Sequence, residues 1–311
     1  MKINGRNCRY NPNYQLMPFK PILAAVLLLT ALSSCQKDDD TRDPIADSGP
    51  KVNFIFKFDS TQQRLNALGQ PTTMAAGHKG QSPRFNLMSA HYVEMTPSAF
   101  TALGGGAILY KAPETTAGGS TAIDFKNSKF AGNGGVFLSV PIKNIAAGTY
   151  TWLRVSLAYQ NYNVYMNSAG FTFDATVASF IGFNTYLTNY KVKDSTITVN
   201  GNRLQGYWAV EGKIPGFGFV SSGQAPAGAT TVPNPLFATS PIPAGSCLVT
   251  GLFLSPLVIT GTEKTDINII VSLSVNKSFE WLDADGNDTF DPDKGDAVVD
   301  MGIRGMIPYQ L

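Results

Sequence analysis

The stretch Val52-Asn53-Phe54-Ile55-Phe56-Lys57-Phe58 decides the fold class. Positions 52, 54, 56 and 58 are apolar, and in an extended chain alternate side chains point to one face. A period of two over seven residues marks a half-buried strand. The same period returns in Phe85, Leu87, Val93 and Met95, with His91 on that face. Further runs rich in Val, Ile, Phe, Tyr and Thr cover 107–111, 136–140, 150–159, 171–183, 196–199, 205–211, 247–254, 257–260, 267–275 and 298–303. Gly, Pro and Asn bound them, as expected of strands joined by turns. Asn200-Gly201 supplies the positive φ angles of a tight hairpin. Helix signals are few. Ser60 with Gln63 fits a capping box and predicts two helical turns over 61–68. Thr96-Pro97 predicts one short helix over 97–103. The pattern is that of an all-β protein, a β-sandwich built as one large or two packed β-modules.

The composition supports a folded chain. Of 311 residues, 43% are hydrophobic and only 15% charged, so apolar surface suffices for a core. The formal charge of +2 comes from the N-terminus: residues 1–34 carry Lys2, Arg6, Arg9 and Lys20 and no acid. Without them the charge is −2, which gives no reason to expect a nucleic-acid partner. With His78 and His91 as the two histidines, a three-histidine metal site cannot be built.

The first 34 residues read as an address. The apolar run 21–32 (PILAAVLLLTAL) is twelve residues long, too short for a bilayer, which needs about 20. Lys20 precedes it and small residues follow, the layout of a secretory signal. Leu32-Ser33-Ser34-Cys35 resembles the lipobox of bacterial lipoproteins, which implies cleavage before Cys35 and acylation of that residue. Cys35-Gln36-Lys37-Asp38-Asp39-Asp40 resembles the acidic export tag of surface lipoproteins in the Bacteroidota. That resemblance implies a lipid anchor in the outer membrane, with the protein facing the cell exterior. Residues 35–50 are polar, acidic and proline-marked, a flexible tether. After cleavage Cys35 and Cys247 remain, so an acylated Cys35 leaves no internal disulfide. Cys247, in an apolar strand-like run, is expected to be a buried, inert thiol.

The rest divides into a main β-domain over 51–220, a Gly/Pro/Ala/Ser-rich stretch without charge over 221–246, and a β-segment over 247–311. The middle stretch reads as a surface loop, and the last segment is short for independent stability.

Two constellations could carry chemistry. Acids crowd the C-terminal segment: ten lie beyond residue 260, seven of them between Asp283 and Asp300. Ca²⁺ takes six to eight oxygens, and alternate acidic side chains on a tight loop supply them. Asp283, Asp285, Asn287 and Asp291 fall at EF-hand spacing, with Asp296 as a distal ligand. Gly286 and Lys294 break the EF-hand pattern, so the alternatives are a looser structural Ca²⁺ loop and a solvated acidic turn. Separately, Tyr150, Trp152, Tyr159, Tyr162 and Tyr165 lie close to Gln160, Asn161 and Asn163. Aromatic faces beside amides suit glycans, and the same pattern suits core and cross-strand pairs. Trp208 and Trp281 could add to such a platform.

Nucleophile signatures fail. There is no G-x-S-x-G elbow, and Ser274-Val275-Asn276-Lys277 fits S-x-x-K without its companion motifs. Glu94 and Glu211 are the candidate pair for a hydrolase. His91 on an apolar face reads as a core histidine. The strand 85–95, the turn Ala147-Gly148-Thr149-Tyr150, Gly206-Tyr207-Trp208 and Glu211-Gly212 are similar to landmarks of the methanobactin-associated copper-binding family. That resemblance implies copper binding, which two histidines supply poorly. The sequence therefore points first to a non-catalytic surface lipoprotein that binds a ligand, expected to be a glycan. The alternatives are a carboxylate-dependent hydrolase and a metal-binding or structural surface protein.

Overall fold

The computed structural model describes residues 49–225 and 245–311, together with Pro241 and Pro243. The signal, Cys35, most of the tether and most of the 221–246 stretch lie outside the described residues. The strands are β1 (Lys51–Asp59), β2 (His78–Gln81), β3 (Arg84–Thr96), β4 (Ala107–Lys111), β5 (Glu114–Thr115), β6 (Ala122–Asp124), β7 (Phe130–Ala131), β8 (Val136–Pro141), β9 (Gly148–Ser168) and β10 (Phe171–Phe180). They continue with β11 (Asn184–Lys191), β12 (Thr196–Leu204), β13 (Tyr207–Ile214), β14 (Phe217–Gln224), β15 (Cys247–Ile259), β16 (Ile267–Ser274), β17 (Phe279–Leu282), β18 (Ala297–Met301) and β19 (Met306–Gln310). The all-β sandwich is thus the architecture.

An eight-stranded sheet in the order β14-β13-β10-β9-β3-β4 carries β15 on β9 and β7 on β3. A four-stranded sheet, β19-β16-β1-β8, packs on its inner face. The opening strand behaves as its alternation requires. Val52, Phe54 and Phe56 are at most 1% exposed and join Val93, Met95, Leu153, Val155 and Leu157 in the main core. Each such side chain contributes about 1.5–3 kcal/mol by leaving water. A third sheet, β12-β11-β6-β5, goes with a second core on the other face, made by Tyr159, Phe180, Leu187, Tyr190 and Tyr207. A fourth, β18-β17-β2, is the smallest.

The C-terminal segment is woven into both principal sheets. β16 runs parallel to β1, pairing Val52 with Ile267, and β15 pairs with β9. Residues 47–311 form one compact unit. No helix among the described residues is long and apolar enough to cross a membrane.

Three local expectations need correction. Residues 61–68 are not helical, because Asp59 Oδ1 takes the N–H groups of Thr61 and Gln62, at 2.9 and 3.0 Å, in a tight turn. Leu65 then donates its N–H to the Arg304 carbonyl, so the backbone is spent on tertiary bonds. Residues 97–103 are not helical either. Thr96 Oγ1 bonds the Ser98 carbonyl and Ser98 Oγ takes the Phe100 N–H, replacing the helix cap with a local turn. Asn200-Gly201 does not turn a hairpin. It lies inside β12, where the register against β11 shifts and Asn200 has φ of 50°, the signature of a bulge.

Candidate functional site

Strand β9 carries the five aromatics of the expected glycan platform, and the structure divides them. Tyr150 and Tyr162 enter the main core, and Tyr159 enters the second core on the opposite face. Bulges between β3 and β9, at Ser89/Ala90 and Ala90/Tyr92, change which residues of β9 face inward. Tyr162 is fully buried, stacked on Phe85 at 4.9 Å, and Tyr150 donates its hydroxyl to the Ala146 carbonyl at 2.7 Å. Tyr165 alone of the five is exposed, with Arg84 over its ring at 4.7 Å, while Trp152 is half-buried. The five therefore form no common face, and Trp281 is buried in the main core.

Trp208 has a different fate. It lines a cleft of about 540 Å³ where β10 and β13 face the β17–β18 hairpin. Its floor is Leu157, Val177, Ser179 and Val210, and its wall is Phe279, Phe290, Val298, Met301 and Ile303. Gln205 and Gln224 bring polar groups to it, held by bonds to the Ile181 and Gln205 carbonyls. A volume of this size with mostly apolar walls is that of a small-molecule site, roughly 300–1,000 Å³. Cys247 also lines it, and burial pushes its thiol up to about 12, so it is inert at neutral pH.

A charged pocket of about 250 Å³ shares Val249, Asp300 and Ile303 with the cleft. At its centre Glu280 accepts bonds from Arg64, from Arg304 Nε at 3.0 Å, and from His78 at 3.1 Å. Burial pushes Glu280 up, but these three partners outweigh it and hold it below its ordinary value. The charges satisfy one another, so this cluster clamps β17 to the 64–67 segment.

The acidic loop brings its predicted ligands together. Oxygens of Asp283, Asp285 and Asp296 lie within 4.8 Å of one another. Asn287 Nδ2 donates to Asp285 and Asp291, at 2.9 and 2.6 Å, which places all five residues in one constellation. Much of their capacity is already used. Asp283 accepts the N–H groups of Gly286, Asn287 and Asp288, and Asp296 those of Ala284 and Asp291. The bond from Asp288 is the largest influence on Asp283 and lowers its pKa.

The remaining candidates have structural partners. Glu94 and Glu211 are not paired. Glu94 lies opposite Arg154 of β9, whereas Glu211 lies opposite Thr176 and thereby Asn163. Nine residues along β9 is about 30 Å, and a glycosidase pair spans only about 5–10 Å. Glu211 instead caps the β11–β12 turn, accepting the N–H groups of Lys193, Asp194 and Ser195. Burial raises it, but these donors prevail and hold it low. His91 is buried against Phe183, with Nε2 2.9 Å from Glu114, and burial lowers its pKa. Ser274 is fully buried, and its Oγ donates to the Gln62 carbonyl. Among the described residues neither histidine shares a cluster of three His, Cys, Asp or Glu side chains.

The cleft is not legible in the sequence, because its walls come from strands far apart in the chain. One signal was present: Trp208 stands in the strand-like run Gln205-Gly206-Tyr207-Trp208-Ala209-Val210, which a glutamine and a glycine open. Comparison with protein-family models, with curated proteins and with solved structures finds no match.

Proposed function

We propose that this chain is a non-catalytic binding protein, held by lipid on Cys35 at the outer face of an outer membrane of the Bacteroidota type, that takes a small and largely apolar molecule into the Trp208 cleft. The cleft itself carries the binding reading, and the lipobox and acidic tag carry the anchor and location. Its walls offer dispersion and desolvation, while Gln205, Gln224 and Ser179 offer a few polar contacts to orient the occupant. None of the candidate nucleophile, base or paired-acid constellations is assembled. A sugar ring stacked on Trp208 is the glycan form of the same reading.

An apolar fluorescent dye such as anilinonaphthalene sulfonate is expected to bind the folded protein at one site. Val298 lies on the cleft wall and is 36% exposed, so Val298→Trp fills the space from the solvent side with little harm to the core. This variant is expected to lose dye binding at least about tenfold, or about 1.4 kcal/mol. Unchanged dye affinity in Val298→Trp would sink the cleft as the site. A specific hit on a glycan array that Trp208→Ala abolishes would select the sugar form.

The acidic loop supports Ca²⁺ as a structural component. Asp283, Asp285, Asp291, Asp296 and Asn287 would hold it, with the Asn287 amide turned to present its oxygen. The ion would fix the 283–296 loop by neutralising its converging carboxylates. Titration calorimetry is expected to show one Ca²⁺ per chain, and Asp285→Asn, at an exposed position, to weaken it at least about tenfold. No heat on titration into chelator-treated protein would leave the loop a hydrogen-bonded acidic turn.

A further inference from the structure

The molecule has two unlike poles, and one of them is apolar on its surface. Phe100 is 98% exposed, Leu254 69%, Val258 54%, Leu252 53% and Leu68 43%. These positions converge near the start of β9. Leu252 lies opposite Trp152, and Trp152 lies opposite Thr96 at the end of β3. Thr151 Oγ1 donates to the Pro97 carbonyl at 2.7 Å, which fixes the loop bearing Phe100 to β9. A Cβ on Gly69, next to Leu68, would sit 3.6 Å from the Trp152 ring. In β15 the register jumps from Leu252 opposite Trp152 to Leu257 opposite Tyr150. Residues 253–256 bulge out there, with Phe253 turned in and Leu254 turned out.

The tether arrives at this same pole. Lys51 opens β1 opposite Pro141, and the short turn Ile142–Asn144 leads from there to Gly148. Ile259 pairs with Gly148 and is followed by β16, whose Ile267 pairs with Val52. The opposite pole holds the β9–β10 hairpin and the acidic loop, joined by the bond from the Ala169 N–H to Asp293 at 3.0 Å. The end next to the tether therefore carries the exposed aliphatic group and Phe100 without a cluster of acids, and the far end carries the acidic loop beside the exposed Tyr165, Phe171 and Phe217. Isolated apolar residues on a surface need no explanation, but a group of this kind marks an interaction site.

We infer that the pole formed by Phe100, Leu252, Leu254 and Val258 docks on the lipid surface of the membrane to which the protein is tethered. The inference rests on the anchoring read from Cys35. The sixteen residues from Cys35 to Pro50 reach at most about 55 Å, so the tether alone permits many orientations. Burial of the apolar pole at the headgroup boundary selects one of them. It turns the acidic pole away from the membrane.

The test uses the chain from Cys35 to Leu311, which contains the compact unit, coupled through Cys35 to a maleimide phospholipid in phosphatidylcholine vesicles. Cys247 is buried, with its thiol pushed up to about 12, and is spared. Phe100→Trp, Leu254→Trp and, at the far pole, Phe171→Trp serve as reporters, Phe171 being 44% exposed. With brominated lipid, the emission added at positions 100 and 254 is expected to be mostly lost and that at 171 retained. Equal emission at all three overturns the docking. So does a concentration-dependent dimer in solution that is lost in Phe100→Ser with Leu254→Ser, which would assign the surface to a second copy. Mass spectrometry of the cell-made protein examines the anchor separately. An unacylated Cys35 there overturns the anchoring without altering the vesicle result, because the coupling is chemical.

Discussion

Replacing Arg154 by methionine is expected to cost about 3–5 kcal/mol of folding stability, because it strands a buried carboxylate. Arg154 and Glu94 are both fully buried on the face of β3 and β9 away from the main core, with Nη1 and Oε2 3.8 Å apart. Glu94 Oε1 accepts the N–H groups of Gly104 and Gly106 at 3.0 and 2.7 Å. Arg154 Nη2 donates to the carbonyls of Ala99 and Thr101 at 3.2 and 2.7 Å. The pair therefore holds the 97–106 loop from both ends. Gly106 is required there, since a Cβ would lie 2.3 Å from the Met95 carbonyl oxygen. Methionine keeps most of the volume and removes the charge, so the loss isolates the electrostatic role. Adding Glu94→Gln to Arg154→Met is expected to restore part of the loss, since an amide tolerates burial better than an unpaired charge. Urea denaturation of the four proteins of this cycle is the measurement. Hydrogen exchange at Gly104 and Gly106 should accelerate in Arg154→Met. A single-variant loss below about 1 kcal/mol, the range of an exposed pair, would show that this ion pair does not hold the loop.

Tyr162→Ala is expected to cost a similar amount, about 3–5 kcal/mol, and Tyr162→Phe almost nothing. The ring lies between Phe85 and Phe279, at centroid distances of 4.9 and 6.4 Å, and is fully buried. Its hydroxyl is a different matter. Burial drives its pKa strongly upward, and no group among the described residues takes up Oη in a hydrogen bond. Removing an unpaired buried hydroxyl relieves a desolvation penalty, while removing the ring leaves a cavity. Thermal denaturation of both variants separates the two terms. The result also bears on ligand recognition. A Tyr162 that belonged to a glycan platform would lose binding on conversion to alanine without losing stability. A core Tyr162 loses stability first, and binding at the cleft changes only through the fold.

The strand pattern was legible because it is local. Val52 to Phe58 alternates, and alternation has one outcome when one face must be buried. The expected runs at 107–111, 136–140 and 267–275 match β4, β8 and β16 to within one residue. The helices expected at 61–68 and 97–103 failed for a reason the sequence does not display. At 61–68 the Asp59 carboxylate takes the first N–H groups and Leu65 bonds the distant Arg304; at 97–103 Thr96 bonds the Ser98 carbonyl and Arg154 of β9 takes the carbonyls of Ala99 and Thr101. Strands β14 and β17 were passed over because Phe217–Gln224 and Phe279–Leu282 alternate weakly or are short.

The acidic constellation was legible for the same reason as the strands. Its five residues lie within fourteen positions, and a tight loop has few ways to arrange them. The cleft, the division of the β9 aromatics and the apolar pole were not legible. Tyr159 and Tyr162 lie three apart and so face opposite ways, but which of them faces the main core is set by the bulges in the pairing with β3, and a bulge is a property of two strands together. Trp208 meets Phe279 and Val298 across the cleft because β13 and the β17–β18 hairpin pack there, about seventy to ninety residues apart in the chain. The sequence by itself determined the fold class and the composition of each local loop, since each depends on neighbours in the chain. Tertiary structure alone decided which aromatics are core, which acids are partners and where a ligand could enter, since those depend on register and on contacts that no local pattern encodes.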